Sequence, residues 1–305
     1  MSNEDSLSAL RNIKMVVEIE RVLITREYKD FLGPELSAQI VKHARKIFVY
    51  KILYRSQGHK VVGYIVEPRE GRKLPCIIYN RGGSGDFGAI KRWDLFDGIP
   101  AQLALNGYIV IASQYSGNAG SEGKDELGGS DIADVLNLKK ILDAYGRADT
   151  KRLGMYGASR GGMMTYLALK KVRWVRAAVT VGGSSDIFRE EKLRPKLKAL
   201  NKKMFGGSAS EKKNRSALYW PEKFPKKTPL LIMHGGADWR VSPLDSIQLT
   251  EKLLAAHVPC RLMIFEGADH SLSEYAQESF NTTLSWFERF VKHGEKLPDT
   301  KLHGK

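Results

Sequence analysis

Residues 154–164 read GMYGASRGGMM. Within them Gly157-Ala158-Ser159-Arg160-Gly161 fits the spacing G-x-S-x-G. Leu153, Met155 and Tyr156 just before it form a short apolar run, as a buried strand would. After Gly162, Met163, Tyr166, Leu167, Leu169 and Val172 include pairs three or four apart, the spacing of one helix face. A strand that turns sharply into a helix brings two backbones too close for a Cβ, which accounts for the flanking glycines. A serine at the apex of such a turn presents its hydroxyl outward. The stretch therefore predicts either a nucleophile elbow or a plain glycine-rich turn, and a base and an acid elsewhere in the chain decide between them.

Outward from the elbow, strand and helix alternate. PCIIYN, GYIVIAS, RLGMYG, AAVTVGG, PLLIMHG and CRLMIFEG read as strands. Helical stretches fall at roughly 93–106, 130–146, 160–172, 243–256 and 274–292. Ahead of them KIFVYKILYR and KVVGYIVEP, joined by Ser56-Gln57-Gly58-His59, read as a hairpin. This order predicts an α/β protein with a mostly parallel central sheet, helices on both faces and an N-terminal antiparallel hairpin. Residues 1–45 read as an N-terminal helical appendage, 46–293 as the main domain, and 294–305 as a loose polar tail.

Open parallel sheets carry their chemistry at the carboxyl ends of the strands. Ser159 follows RLGMYG, Asp238 follows PLLIMHG, and His270 follows CRLMIFEG. Serine, acid and histidine thus occur in the chain order of the α/β-hydrolase triad, each at a strand end on one edge of the sheet. A serine hydroxyl is a poor nucleophile, so His270 is expected to take its proton and Asp238 to hold the imidazole in the right tautomer. The oxyanion of the tetrahedral intermediate needs donors placed in advance. The backbone N–H of Arg160 is one candidate, and Gly82 or Gly83 in the loop after PCIIYN is the other. His234 is too close to Asp238 in sequence to be its triad partner and is expected to bond within the turn. Asp245 reads as a helix cap or surface charge, and Asp269 as pointing away from the site.

The 305 residues suffice for one large α/β domain. No run of about 18 apolar residues exists, so no membrane span is expected. MSNEDSLSAL carries acids where a signal peptide carries bases, which predicts a cytoplasmic protein. Cys76 and Cys260 sit in apolar strand-like runs and read as buried thiols rather than a disulfide. No Cys or His spacing suggests a metal, and no cofactor is expected. The net charge is +15, and residues 189–227 hold thirteen Lys or Arg against four Glu. A solvated insertion explains this excess without an anionic partner, and no nucleic acid is expected. The contrasting reading is a non-catalytic binding protein on a hydrolase scaffold, recruiting an anionic partner through this basic stretch. A homo-oligomer is left open.

The hairpin segment SQGHKVVGYIVEP, the loop YNRGGSGDFG, SQYSGNAGSEGKDELGG, the elbow GASRGG, RSALYWPEKFPKKTPLLIMHGGADWRVSP and ADHSL together resemble the catalytic domain of the prolyl oligopeptidase family. The resemblance spans about residues 46–293. It implies an α/β-hydrolase acting on a small peptide or carboxylic ester without a cofactor, with nucleophile, acid and base on Ser159, Asp238 and His270. Two features differ. The residue after the nucleophile, often aromatic in family peptidases, is Arg160 here, and about 45 residues ahead of the hairpin are too few for the β-propeller those peptidases carry. These departures leave open an esterase, a small aminopeptidase-like enzyme or a deacetylase-like hydrolase. The insertion at 184–228 is then expected to be a small basic cap over the site.

Overall fold

The computed structural model describes residues 3–304. Met1, Ser2 and Lys305, the outer ends of the expected appendage and tail, lie outside the described residues. The chain divides into two units. The first takes in residues up to Tyr79, Gly85–Lys124 and Ala133–Lys151; the second takes in Asn80–Ser84, Asp125–Ile132 and the chain from Arg152 onward.

The first unit contains α1 (Asn3–Arg11), β1 (Val16–Arg21), α2 (Arg26–Leu32), α3 (Pro34–Ala44), β2 (Ile47–Ser56), β3 (His59–Pro68), β4 (Leu74–Asn80), α4 (Arg92–Phe96), α5 (Ile99–Leu105), β5 (Ile109–Ser113) and α6 (Ile132–Ala144), apart from Asn80 and Ile132. The expected hairpin is β2 and β3, in antiparallel register from Ile47↔Pro68 to Ser56↔His59. The hydrogen-bonded order is β1-β2-β3-β5-β4. Residues 1–45 are not wholly helical as expected: Val16–Arg21 form a strand antiparallel to β2. The reason lies in VVEIER, where Val17, Ile19 and Arg21 alternate with Glu18 and Glu20, a period-two pattern that suits an edge strand. The single helix expected at 93–106 is two: the first ends at its cap Asp97, and the second starts from Gly98 as its N-cap with Pro100 in its first turn.

In the second unit β6 (Ala148–Ala158) is entered at Arg152, and is followed by α7 (Arg160–Lys171), β7 (Ala178–Val181), α8 (Ile187–Leu193), α9 (Lys196–Phe205), α10 (Ala209–Arg215), β8 (Leu230–Gly235), α11 (Pro243–Ala255), β9 (Cys260–Phe265) and α12 (Ala276–Phe287). β6, β7, β8 and β9 are parallel in that order. Every residue of β7 and β8 is buried. Successive side chains of a strand point to opposite faces, so both faces here are covered. Both cysteines are free thiols. Cys76 is buried as expected, whereas Cys260 is only half-buried, because β9 ends the strand order. Among the described residues no helix is long and apolar enough to cross a membrane.

Candidate active site

The close packing expected from the elbow glycines is present. A Cβ on Gly157 would lie 2.1 Å from the Gly161 carbonyl oxygen, one on Gly161 1.9 Å from the Asn80 oxygen, and one on Gly162 2.5 Å from the Gly183 Cα. β6 ends at Ala158 and α7 begins at Arg160, so Ser159 alone makes the turn, at φ 56° and ψ −121°. That left-handed φ is sparsely populated for a residue with a Cβ and persists only where surroundings enforce it. The Ser159 N–H donates to the Val181 oxygen at 2.8 Å, and its carbonyl accepts from Gly162 N–H at 2.9 Å and Ser184 N–H at 3.2 Å.

The acid and the base come from the next two strand ends. A Cβ on Gly235 would fall 2.1 Å from the Asp269 oxygen, so the glycine lets the loop after β9 lie against the end of β8. The Ala237 N–H donates to the Ala268 oxygen at 3.0 Å, tying the two loops together. Asp238 Oδ2 accepts from His270 Nδ1 at 2.6 Å. Its Oδ1 accepts from the N–H groups of Arg240 and Val241 at 2.8 and 3.0 Å. The imidazole of His270 also lies against the end of β7, since a Cβ on Gly182 would be 3.2 Å from His270 Nδ1. Ser159 and His270 are thus both held at residues 181–184.

His234 has a larger part than a turn residue bonding to its neighbours. It does bond within the turn, but its partner there is Asp238 itself. His234 Nε2 is 3.0 Å from Asp238 Oδ2 and from the Val241 oxygen, while Nδ1 is 2.7 Å from Ser246 Oγ. Nε2 faces two acceptors and therefore carries the proton, and Nδ1 accepts from the serine. Burial by itself would push the Asp238 carboxyl up; the hydrogen bonds from His234, His270 and Val241 outweigh it and hold the group well below the usual carboxylate range. An ionised Asp238 can only accept, so Nδ1 of His270 donates and Nε2 is left to take a proton.

Of the three oxyanion candidates, Gly82 and Arg160 lie beside Ser159. A Cβ on Gly82 would lie 3.4 Å from Ser159 Cβ, so the backbone of Gly82 passes beside the serine. Gly83 has φ +68°. Arg160 opens α7, in the first turn whose N–H groups have no carbonyl within their own helix. The Arg160 side chain is buried and reaches the same loop, a feature that sequence reading missed. Its partners Asp125 and Asp131 stand far off in a segment without periodicity, so no local signal marks them.

Asp269 does point away, accepting from Ser271 and Ser273. Asp245 is neither the helix cap nor the surface charge that was expected: Ser242 caps α11, and Asp245 stands in its first turn. It is buried and paired with Arg189 Nε at 2.9 Å. It belongs to a carboxylate cluster beside the elbow, in which Glu190 bonds Ser184 Oγ and lies within the field of Asp245 and Asp186. Burial raises Glu190 to about 7 and Asp245 to about 7. An unfolded glutamate releases its proton near the ordinary 4.5. Between these values the folded chain binds more protons, so stability falls as pH rises through that window. Glu190→Gln removes the buried charge. The variant is expected to gain up to about 3 kcal/mol over wild type at pH 8 and little or nothing at pH 4. Thermal unfolding at the two pH values measures this, and an equal shift at both would contradict the assignment.

A profile of the prolyl oligopeptidase family matches residues 95–294. The chain is 30% identical over 232 residues to YtmA of Bacillus subtilis (strain 168), named an uncharacterized peptidase, covering 74% of this chain and 88% of that protein. It is 26% identical over 260 residues to YitV of the same strain, provisionally named an esterase, covering 74% and 93%. Among solved structures, the acylaminoacyl peptidase of Pyrococcus horikoshii superposes with a TM-score of 0.74 at 21% identity, over 88% of this chain and 45% of that one. The chain therefore spans less than half of that enzyme, and the likeness is one of fold.

Proposed function

This chain belongs to the prolyl oligopeptidase family of α/β-hydrolases, and from that premise we propose that it cleaves a peptide or carboxylic ester bond through an acyl-enzyme formed on Ser159. The observation that carries the reading is the bond from His270 Nδ1 to the Asp238 carboxylate at 2.6 Å, beside a serine held at a strained elbow. In this reading His270 Nε2 takes the hydroxyl proton as Ser159 Oγ attacks the substrate carbonyl. The N–H groups of Arg160 and of Gly82 or Gly83 stabilise the oxyanion, and α7 adds the positive end of its dipole. His270 then returns the proton to the leaving amine or alcohol. Water, activated by the same imidazole, releases the acid. The segment 184–228, with α8, α9 and α10, acts as a cap over the site. Its exposed Lys196, Lys198, Lys202 and Lys203 give it a positive outer face.

Purified protein presented with p-nitrophenyl esters and aminoacyl-p-nitroanilides tests the reading. Hydrolysis of at least one class is expected, with an initial burst of p-nitrophenol equal to the enzyme present where deacylation is slower than acylation. Absence of turnover and burst with both classes would overturn it.

A further inference from the structure

Arg160 carries two functions that the elbow motif does not separate. Its backbone belongs to the start of α7, but its side chain turns back under the loop Asn80–Ser84. Nη1 donates to the Gly83 carbonyl oxygen at 3.1 Å and to Ser84 Oγ at 3.1 Å. The same guanidinium meets two carboxylates. Nη1 reaches Asp125 Oδ2 at 2.8 Å, and Nη2 reaches Asp125 Oδ1 at 2.6 Å and Asp131 Oδ2 at 2.8 Å. The pairing with Asp125 is bidentate, the geometry that a planar guanidinium holds and an ammonium cannot. Asp131 also accepts from the Gly128 N–H at 3.0 Å, so the segment Asp125–Asp131 is wound around its own acid. The side chains of Arg160 and Asp131 are 5% and 0% exposed, which keeps water from competing for these bonds.

The segment 125–131 is held from the other side as well. Arg215, the last residue of α10 and itself buried, donates to the Leu127 oxygen at 2.9 Å and to the Glu126 oxygen at 3.1 Å. Two arginines thus fix one acidic loop. Of the two, it is Arg160 that extends from it to Gly83 and Ser84. Glycine populates positive and negative φ alike, so the planes around Gly82 and Gly83 are held from outside: Arg81 Nη1 donates to the Gly82 oxygen at 2.9 Å and holds the Gly82–Gly83 plane, while Arg160 holds the next plane, Gly83–Ser84. A donor aimed at an oxyanion is effective only when it is preorganised.

We propose that the Arg160 side chain is a positioning residue. Braced by Asp125 and Asp131, it pins the Gly83 carbonyl and Ser84, and so anchors the far end of the loop whose Gly82 backbone passes beside Ser159, limiting how far the glycine donors next to that anchor can swing. The inference rests on the serine hydrolase reading above. Its effect falls on the transition state, where the oxyanion exists, rather than on the ground-state complex.

Arg160→Lys keeps the backbone N–H and the charge but loses the fork. Removing an oxyanion donor outright costs about 10²–10³ in kcat, so misaiming one is expected to cost about 10–100-fold. KM should change less than about threefold. Affinity for a trifluoromethyl ketone, whose adduct on Ser159 carries the oxyanion, should fall in step with kcat/KM across Arg160→Lys, Asp125→Asn and Asp131→Asn. A side chain that merely stabilised the fold would not produce that parallel. Rates are taken per active site titrated with a fluorophosphonate. Should Arg160→Lys not fold, Asp125→Asn, which leaves Asp131 in place, carries the same expectation. Folded variants with wild-type kcat and inhibitor affinity per titrated site overturn the inference. An inactive wild-type protein instead strikes the serine hydrolase reading, and this inference with it.

Discussion

Ser159→Ala is expected to lower kcat by about 10⁶-fold, the scale seen when a triad loses its nucleophile. Without Oγ there is no proton for His270 to take and no atom to carry the acyl group. The rest of the site remains, because none of the bonds that hold the turn uses the hydroxyl. The Ser159 backbone makes them, to Val181, Gly162 and Ser184. Alanine bears the same Cβ at φ 56° and so the same strain, and thermal unfolding should coincide with wild type. Ser159→Gly is the informative companion. It removes the Cβ, should relieve about 1–3 kcal/mol of backbone strain, and should unfold at a higher temperature while equally inactive. Turnover of a p-nitrophenyl ester and thermal unfolding of the two variants check both halves. An alanine variant with more than about a hundredth of wild-type activity would remove Ser159 as the nucleophile.

Asp238→Asn is expected to cost about 10⁴-fold in kcat with the geometry of the site kept. If the amide oxygen goes on accepting from Arg240 and Val241, the amide nitrogen faces both His270 Nδ1 and His234 Nε2. A nitrogen that donates forces His270 Nδ1 to accept, and the ring proton moves to Nε2, where it blocks the uptake of the serine proton. His234 loses one of its two acceptors at the same point and keeps the Val241 oxygen. The variant also alters acid stability. With its folded pKa depressed, Asp238 contributes stability that is present above its ordinary 3.8 and lost as pH falls below it. The Asn variant should therefore start from lower stability at pH 7 and decline less towards pH 2. Kinetics at neutral pH and unfolding midpoints over the acid range measure the two effects. A variant within tenfold of wild type would show that Asp238 does not orient the base.

What was legible in the sequence follows from the range of each signal. The elbow was legible because three glycines within six residues answer to contacts so tight that no other residue fits. Asp238 and His270 were legible because parallel strands end in order along one edge, and each acid or base stood directly after its apolar run. Strand β1 was missed because charged residues outweighed the alternation in VVEIER. The second role of His234 lay four residues from Asp238, in a turn that spacing alone does not resolve into bonds. Arg160 was read for its backbone only. Its partners stand 29 and 35 residues earlier in a glycine-rich segment, and a buried ion pair across such a gap leaves no periodic trace. The basic stretch was legible as charge and not as structure. Lys212 is committed to Glu191 at 2.5 Å and Arg215 to the acidic loop, whereas Lys196, Lys198, Lys202 and Lys203 of α9 are exposed.

The most direct measurement is the mass of the protein after a fluorophosphonate, with peptide mapping of the adduct. Fluorophosphonates react with a serine only when its hydroxyl is activated and its oxyanion stabilised. One adduct per chain is expected, on the peptide containing Ser159, and none on Ser159→Ala. An unmodified wild-type protein, or an adduct on any other residue, would contradict it.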